Sequence, residues 1–173
     1  MIKGPDLTRT EVIKLNAVCD GKLNLAGVNL QGIDLSGLNL SGANFEGANL
    51  SKAYLSGTNL SWANLTGANL TAANLFNAKL EGTFLRKANL TNTNLQNANF
   101  ESAQMEDANL QNANLRGASL ELANLKGAYL FNAKLEGTYL MKANLNYANL
   151  IGATHIDANL ESATLEGATG YNP

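Results

Sequence analysis

The chain has 173 residues, 45% hydrophobic and 15% charged, and its 12 basic and 14 acidic side chains leave a net charge of −2. That balance excludes a disordered or collagen-like polymer, and with no apolar run of eighteen or more residues no membrane-spanning helix is expected. The single cysteine, Cys19, excludes an internal disulfide framework and a cysteine metal cluster.

The first residues, Met1-Ile2-Lys3-Gly4-Pro5-Asp6, lack the apolar stretch of a secretory signal, so the chain is expected in the cytoplasm. Thr8-Arg9-Thr10-Glu11 then fits a capping box, with Thr8 at the N-cap and Glu11 at the third helical position, and Leu7 and Val12 are spaced for a hydrophobic staple. Val12, Leu15 and Cys19 recur at spacings of three and four, and Gly21 suits a helix stop. The pattern predicts an N-terminal segment, 1–22, whose short helix lays that apolar side over the start of the next segment.

From residue 23 the chain is a repeat. Between residue 25 and residue 165 every fifth residue is an apolar centre with one exception: of 29 positions, 25 are Leu, Phe45, Phe100 and Met105 fill three more, and His155, the single histidine, is the exception. Two places before each centre stands Ala in 21 units and Thr in four (Thr58, Thr83, Thr93, Thr138), whereas the first four units carry Leu23, Val28, Ile33 and Leu38. The residue between is Asn in 18 units. Residues two apart on extended chain point the same way, so small residue and centre face inward and Asn faces out. The second residue after the centre is Gly in 13 units and Asn in five, which suits the positive φ of a type II turn. Corners at this regular spacing wind the chain into stacked coils about 4.8 Å apart, a β-helix in which each unit is stabilised by its neighbours. A period of five does not fix the number of sides, although a square coil fills its axis with Leu and Ala and leaves no channel.

The uninterrupted A-[N/D]-L-X-X run, as in Ala63-Asn64-Leu65-Thr66-Gly67-Ala68-Asn69-Leu70, resembles the pentapeptide repeat family, a family abundant in cyanobacteria. The likeness covers residues 23 to 169 and implies an all-β solenoid, a right-handed quadrilateral (four-sided) β-helix with a short N-terminal α-helical cap. Four units per coil give about seven coils and a rod about 34 Å tall. Residues 170–173 form a tail.

On a square coil, residues twenty apart stack. One outward column then runs Ser41, Ser61, Glu81, Glu101, Glu121, Met141, Glu161, with three successive carboxylates about 5 Å apart. Like charges at that spacing repel, so the ladder is either solvated or kept for a basic partner. A second column, Arg86, Glu106, Lys126, alternates in sign and needs only surface ion pairing. Asn29, Asn49, Asn69, Asn89 and Asn109 form a third, able to hydrogen-bond amide to amide along the rod. Outward aromatics make no continuous stripe, but Trp62 and Phe84 are one coil and two residues apart and are expected to touch. With Leu122 in the column of Trp62 and with Glu81, Glu101 and Glu121 one place earlier, they form the candidate interaction surface. Segments 76–90 and 131–145 are near copies offset by 55 residues, a whole number of units but not of coils, so the second faces a quarter turn away.

Nothing points to chemistry. His155 occupies an inward place with Thr154 and Asp157 near it, and reads as a buried neutral histidine or as a bulge turning Ile156 inward. No catalytic, cofactor or metal residues are assigned, and no phosphate-binding glycine loop is present. The far end has little to close it after Leu165 except Tyr171, and unless Tyr171 folds over the last coil that end is a candidate homodimer surface. The function expected is a non-catalytic scaffold or interaction module for a protein partner, with neither nucleic acid nor membrane bound. The alternatives are inhibition of DNA gyrase by DNA mimicry, which some members of the resembled family perform, and an enzyme. A duplex carries one charge per about 1.7 Å, so a net charge of −2 argues against mimicry.

Overall fold

The structure is a computed structural model that describes residues 4–19 and 23–171. It opens with one helix, α1, Arg9–Val18. The capping box is formed in both directions: the Thr8 hydroxyl accepts from the Glu11 N–H, and the Glu11 carboxylate accepts from the Thr8 N–H at 2.7 Å. These bonds hold the Glu11 carboxyl below its usual range, the backbone bond to Thr8 most of all. Val12 is fully buried and Leu7 packs against the same core, as a staple requires. The expected stop at Gly21 lies outside the described residues.

The side of α1 that faces the rod differs from the one the apolar spacing predicts. Arg9, Val12, Asn16 and Cys19 point to the first coil, while Leu15 stays 38% exposed. Polar groups decide the rotation, because the first coil presents unpaired backbone carbonyls that only donors such as Arg9 and Asn16 can satisfy.

Among the described residues from 23 on, the chain consists of corners and parallel β-bridges, and every bridge joins residues twenty apart, from Asn24–Asn44 to Asn149–Thr169. A single unit shows why the arrangement is stable. The Asn44 N–H donates to the Leu23 carbonyl one coil back at 2.8 Å, and the Phe45 and Gly47 N–H groups donate one coil forward to Asn64 and Thr66 at 2.7 and 2.9 Å. The Ala48 N–H closes the corner on the Phe45 carbonyl at 2.9 Å, and the Glu46 N–H donates to Asn44 Oδ1 at 3.0 Å. All five donors are satisfied, which a solenoid with no helices or long strands must achieve within each unit.

The last of these bonds assigns the repeated Asn its main role. Oδ1 of all 18 Asn in the outward place accepts the N–H two residues on, as does Oδ1 of Asp34. This is the Asx turn, for which Asn and Asp are the suited side chains. The amide ladder along the rod is real but interrupted: Asn49 donates to Asn29, Asn69 to Asn49, Asn94 to Asn74 and Asn144 to Asn124.

The second corner residue has positive φ in every unit, whether or not it is glycine. Thirteen of the 29 are Gly and 16 are not, and Trp62, Ala72, Leu122 and Tyr147 adopt φ between 57 and 62°. The left-handed region costs a side chain about 1–2 kcal/mol, so the ladder and corner bonds on either side hold these residues against their preference.

Inside, Ala and Leu rows from Leu23 to Leu150 form one continuous core. Where Thr replaces Ala, its buried hydroxyl finds a carbonyl: Thr58 donates to Leu35, Thr83 to Leu60, Thr93 to Leu70 and Leu90, and Thr138 to Leu135. Past Leu150 the same rows are only half-buried, from Ala153 through His155, Leu160 and Leu165 to Ala168.

Candidate interaction surfaces

The acidic column is assembled as stacked corner residues. Backbone bonds run from Trp62 to Glu81, Gly82 to Glu101 and Ser102 to Glu121, each 2.9 Å, so the three carboxylate-bearing residues occupy successive coils. Glu81 and Glu101 are exposed and Glu121 is half-buried. Trp62 is 60% exposed, and its ring lies over Gly82 so closely that a Cβ there would fall 2.5 Å from ring carbons. Phe84 belongs to the adjoining side and bridges Asn64, and the ring pair found among the described residues joins His155 and Tyr171, not Trp62 and Phe84. Leu122 shares the Trp62 column three coils further on, about 14 Å away. The structure therefore stacks the three glutamates in one column and shows no ring pair between Trp62 and Phe84, with Leu122 three coils from Trp62.

His155 keeps the inward place. Its carbonyl accepts the Ala158 N–H at 3.0 Å, a regular corner, and Ile156 is 70% exposed, so the chain has no bulge there. Tyr171 folds back with its ring centroid 5.3 Å from that of His155 and packs on the core. Among the described residues no three His, Cys, Asp or Glu side chains gather to hold a metal ion, and no helix is long and apolar enough to cross a membrane.

Sequence reasoning gave the corner that carries Arg86, Glu106 and Lys126 no more than surface ion pairing. Two shallow concavities meet there and share Arg86: one is lined by Asn64, Thr66, Phe84, Arg86 and Lys87, the other by Glu106, Asp107, Lys126 and Tyr147 among others. The Arg86–Glu106 pair is slack at 3.9 Å, and Glu106 Oε2 is buried with no hydrogen-bond partner. The Arg116–Glu136 pair on another corner is closed at 2.7 Å through Glu136 Oε1, and the hydrogen bond from Arg116 holds the Glu136 carboxyl below its usual range, although Glu136 Oε2 is likewise buried without a partner. Alternation of sign was legible in the column; the concavity depends on which side chains lie flat against glycine, which spacing does not reveal.

A family model described as pentapeptide repeats matches eight copies between residues 24 and 169. The chain belongs to the pentapeptide repeat family. Among solved pentapeptide repeat structures, alr5209 from Nostoc PCC 7120 is 31% identical with a TM-score of 0.54, over 59% of this chain and 80% of that one. HetL, from the cyanobacterium Nostoc sp. PCC 7120 and involved in heterocyst differentiation regulation, is 28% identical with a TM-score of 0.42, over 95% and 93% of the two chains. QnrB1, a plasmid-mediated fluoroquinolone resistance protein, is 23% identical with a TM-score of 0.48, over 85% and 72%. Comparison with curated proteins gave no match.

Proposed function

We propose that this pentapeptide repeat protein is a non-catalytic rigid scaffold that binds a protein partner in the cytoplasm. Its form in this reading is a right-handed, four-sided β-helix of about seven coils over residues 23–169, capped by 1–22 and ending in a tail at 170–173. The bridges at an interval of twenty residues support four sides of five residues each. The observation that carries the functional reading is the filled axis: inward side chains from Leu40 to Leu130 are at most 1% exposed, so binding falls to the faces and ends. Glu81, Glu101 and Glu121 are the candidate basic-partner face, with Trp62, Phe84 and Leu122 as separate apolar contacts. DNA mimicry is the weaker reading, because these carboxylates stand among neutral Asn rows on a chain of net charge −2. The test is capture from source lysate by the rod, by a Glu81→Lys/Glu101→Lys/Glu121→Lys rod and by an unrelated pentapeptide rod, after circular dichroism shows like folds. A protein retained by this rod alone, and bound again as a purified pair, supports the scaffold. Recovery identical to the unrelated rod overturns it.

Tyr171 does fold over part of the last coil, which counts against a second surface at the C-terminal end, but one observation favours it. The N–H groups of His155, Asp157, Leu160, Ser162, Leu165 and Gly167 have no backbone acceptor among the described residues, whereas their counterparts in earlier coils donate to the next coil. Carbonyls of Ala153, Ala158, Ala163 and Ala168 likewise accept no backbone bond there. An edge with both donors and acceptors around half-buried apolar rows complements a second copy of itself about a two-fold axis. Sedimentation equilibrium is expected to show a dimer that Leu160→Glu/Leu165→Glu converts to monomer; a monomeric wild type at about 100 μM would dispose of this surface.

A further inference from the structure

We propose that the corner groove from Asn64 to Tyr147 docks an α-helix of a partner protein, laid along the rod axis, that presents an acidic, a basic and an acidic side chain in that order. The inference rests on the scaffold reading and adds to it a site and the chemistry of the partner. Three observations carry it. First, the charge on this corner changes sign from coil to coil, with both corner residues of one coil basic (Arg86, Lys87), both of the next acidic (Glu106, Asp107), and Lys126 on the third. The concavities run through all five and share Arg86.

Second, these charges satisfy one another only loosely. Arg86 Nε stands 3.9 Å from Glu106 Oε2, too far for a hydrogen bond, and that oxygen is buried without a donor. Lys126 Nζ hangs 5.8 Å over the Tyr147 ring, a contact that leaves its donors free. Tyr147 itself is fixed at the groove's end by its hydroxyl, which donates to Glu166 Oε1 at 3.1 Å. Asp107 lies against Gly127, with Oδ1 2.6 Å from where a Cβ would stand, so the carboxylate lies flat in the space that the glycine leaves.

Third, the molecule contains its own comparison. Segments 76–90 and 131–145 differ at only two places, Phe84 against Tyr139 and Arg86 against Met141, and in the first copy both differing residues line the groove. The second copy faces another corner and carries no such row of charges.

Geometry selects a helix as the occupant. Coils repeat at about 4.8 Å, so the three charged levels stand at about 0, 4.8 and 9.6 Å along the axis. Helical residues i, i+3 and i+7 lie on one face at about 0, 4.5 and 10.5 Å, a match within the reach of long side chains. An extended strand repeats on one face at about 6.6 Å and falls out of step by the third level. Salt bridges across such an interface give register and specificity, and truncating one member of a desolvated pair is costly.

The test uses two synthetic helical peptides of identical composition: one with Glu, Lys, Glu at i, i+3, i+7 and one with Lys, Glu, Lys there and the balancing charges moved to the opposite face. Fluorescence anisotropy at low salt is expected to show the first bound at least tenfold more tightly by the wild-type rod. The order is expected to reverse on a rod carrying Arg86→Glu, Lys87→Glu, Glu106→Lys, Asp107→Lys and Lys126→Glu, once circular dichroism shows it folded. Should that rod fail to fold, Arg86→Met, the residue of the second copy, is expected to weaken the first peptide several-fold and leave the second unchanged. Equal binding of both peptides, or binding of neither, overturns the groove. A partner captured equally by wild type and by Arg86→Met in the lysate experiment would leave the scaffold standing without it.

Discussion

The two ends of the rod face the same physical problem and differ in how it is met. At the N-terminal end several of the first coil's free backbone groups are taken up: Asp6 exchanges bonds with Asn29 in both directions, at 2.6 and 2.9 Å. The Arg9 guanidinium donates to the Asp34 and Ser36 carbonyls at 3.0 and 2.9 Å, and Asn16 donates to Asn39 at 2.8 Å. Asp6, Arg9 and Asn16 thus answer part of the first coil's edge, with Val12 as the apolar plug. At the C-terminal end a single ring, Tyr171 on His155, covers part of the last coil, and the rest of the edge stays unpaired among the described residues. The difference teaches that an end of the rod can be covered by side chains that answer the backbone of the neighbouring coil or by a single ring packed on its apolar rows.

The sharpest way to break this contrast is to place the same charge at both ends. Val12→Asp puts a carboxylate where exposure is 0%, and a loss of about 3 kcal/mol or more is expected from urea unfolding. Leu165→Asp, where the side chain is already half-exposed, is expected to cost roughly half as much or less. Equal losses would mean that the cap is no better sealed than the open end.

Arg9→Ala removes two charge-assisted bonds to carbonyls and leaves those carbonyls without donors, which predicts a loss of about 2–3 kcal/mol. Amide exchange is expected to rise in α1 and in the first coil while the central coils hold. Lysine at the same position presents a point charge rather than a fork, so Arg9→Lys is expected to restore less than half of the loss.

Acid sharpens the comparison with a smaller effect. The Glu11 carboxyl is held low chiefly by the Thr8 backbone N–H, and that of Asp34 chiefly by the Ser36 backbone N–H with the Arg9 charge adding to it. Both folded values lie below the unfolded ones, so their contribution is complete above the ordinary carboxylate range and is lost as pH falls through the lowered values. Exchange protection in α1 is therefore expected to fall below about pH 4, ahead of that in coils such as Leu60–Leu80. Simultaneous loss along the whole rod would show that the cap is not an acid-sensitive unit.

Much of this was written in the sequence, because a strict period leaves few alternatives: the inward rows, the corners and the capping box all come from spacing. Three matters did not. The rotation of α1 is set by Arg9 and Asn16 answering carbonyls that exist only once the first coil has formed. The main role of the repeated Asn is local, an Asx turn, and the preference of Asn for bonding two residues on was the signal that could have shown it. The groove at Arg86 depends on glycines at particular levels of a column, and neighbours twenty residues apart are visible only after the coil length is known.

The smallest expected effect lies between the ends, where each unit has equivalent neighbours above and below and only its own corner differs. Ala72 sits at φ 57° and Gly67 at φ 65°, both second corner residues, and nothing lies within 4 Å of a Cβ built at Gly67. Ala72→Gly exchanges a left-handed alanine, which costs about 1–2 kcal/mol, for a glycine whose greater unfolded freedom costs about 0.5–1, so a gain of about 0.5–1 kcal/mol is expected. Gly67→Ala is expected to lose a similar amount with no packing contribution. Gly82→Ala then separates backbone from packing, because the same change in φ preference is joined there by a collision with the Trp62 ring 2.5 Å away. Urea midpoints for the three are expected to rank Ala72→Gly above wild type, Gly67→Ala below it and Gly82→Ala lowest. If Gly82→Ala matched Gly67→Ala, the Trp62 ring would be free to swing out, and the contact that holds it flat on the corner would carry no stability.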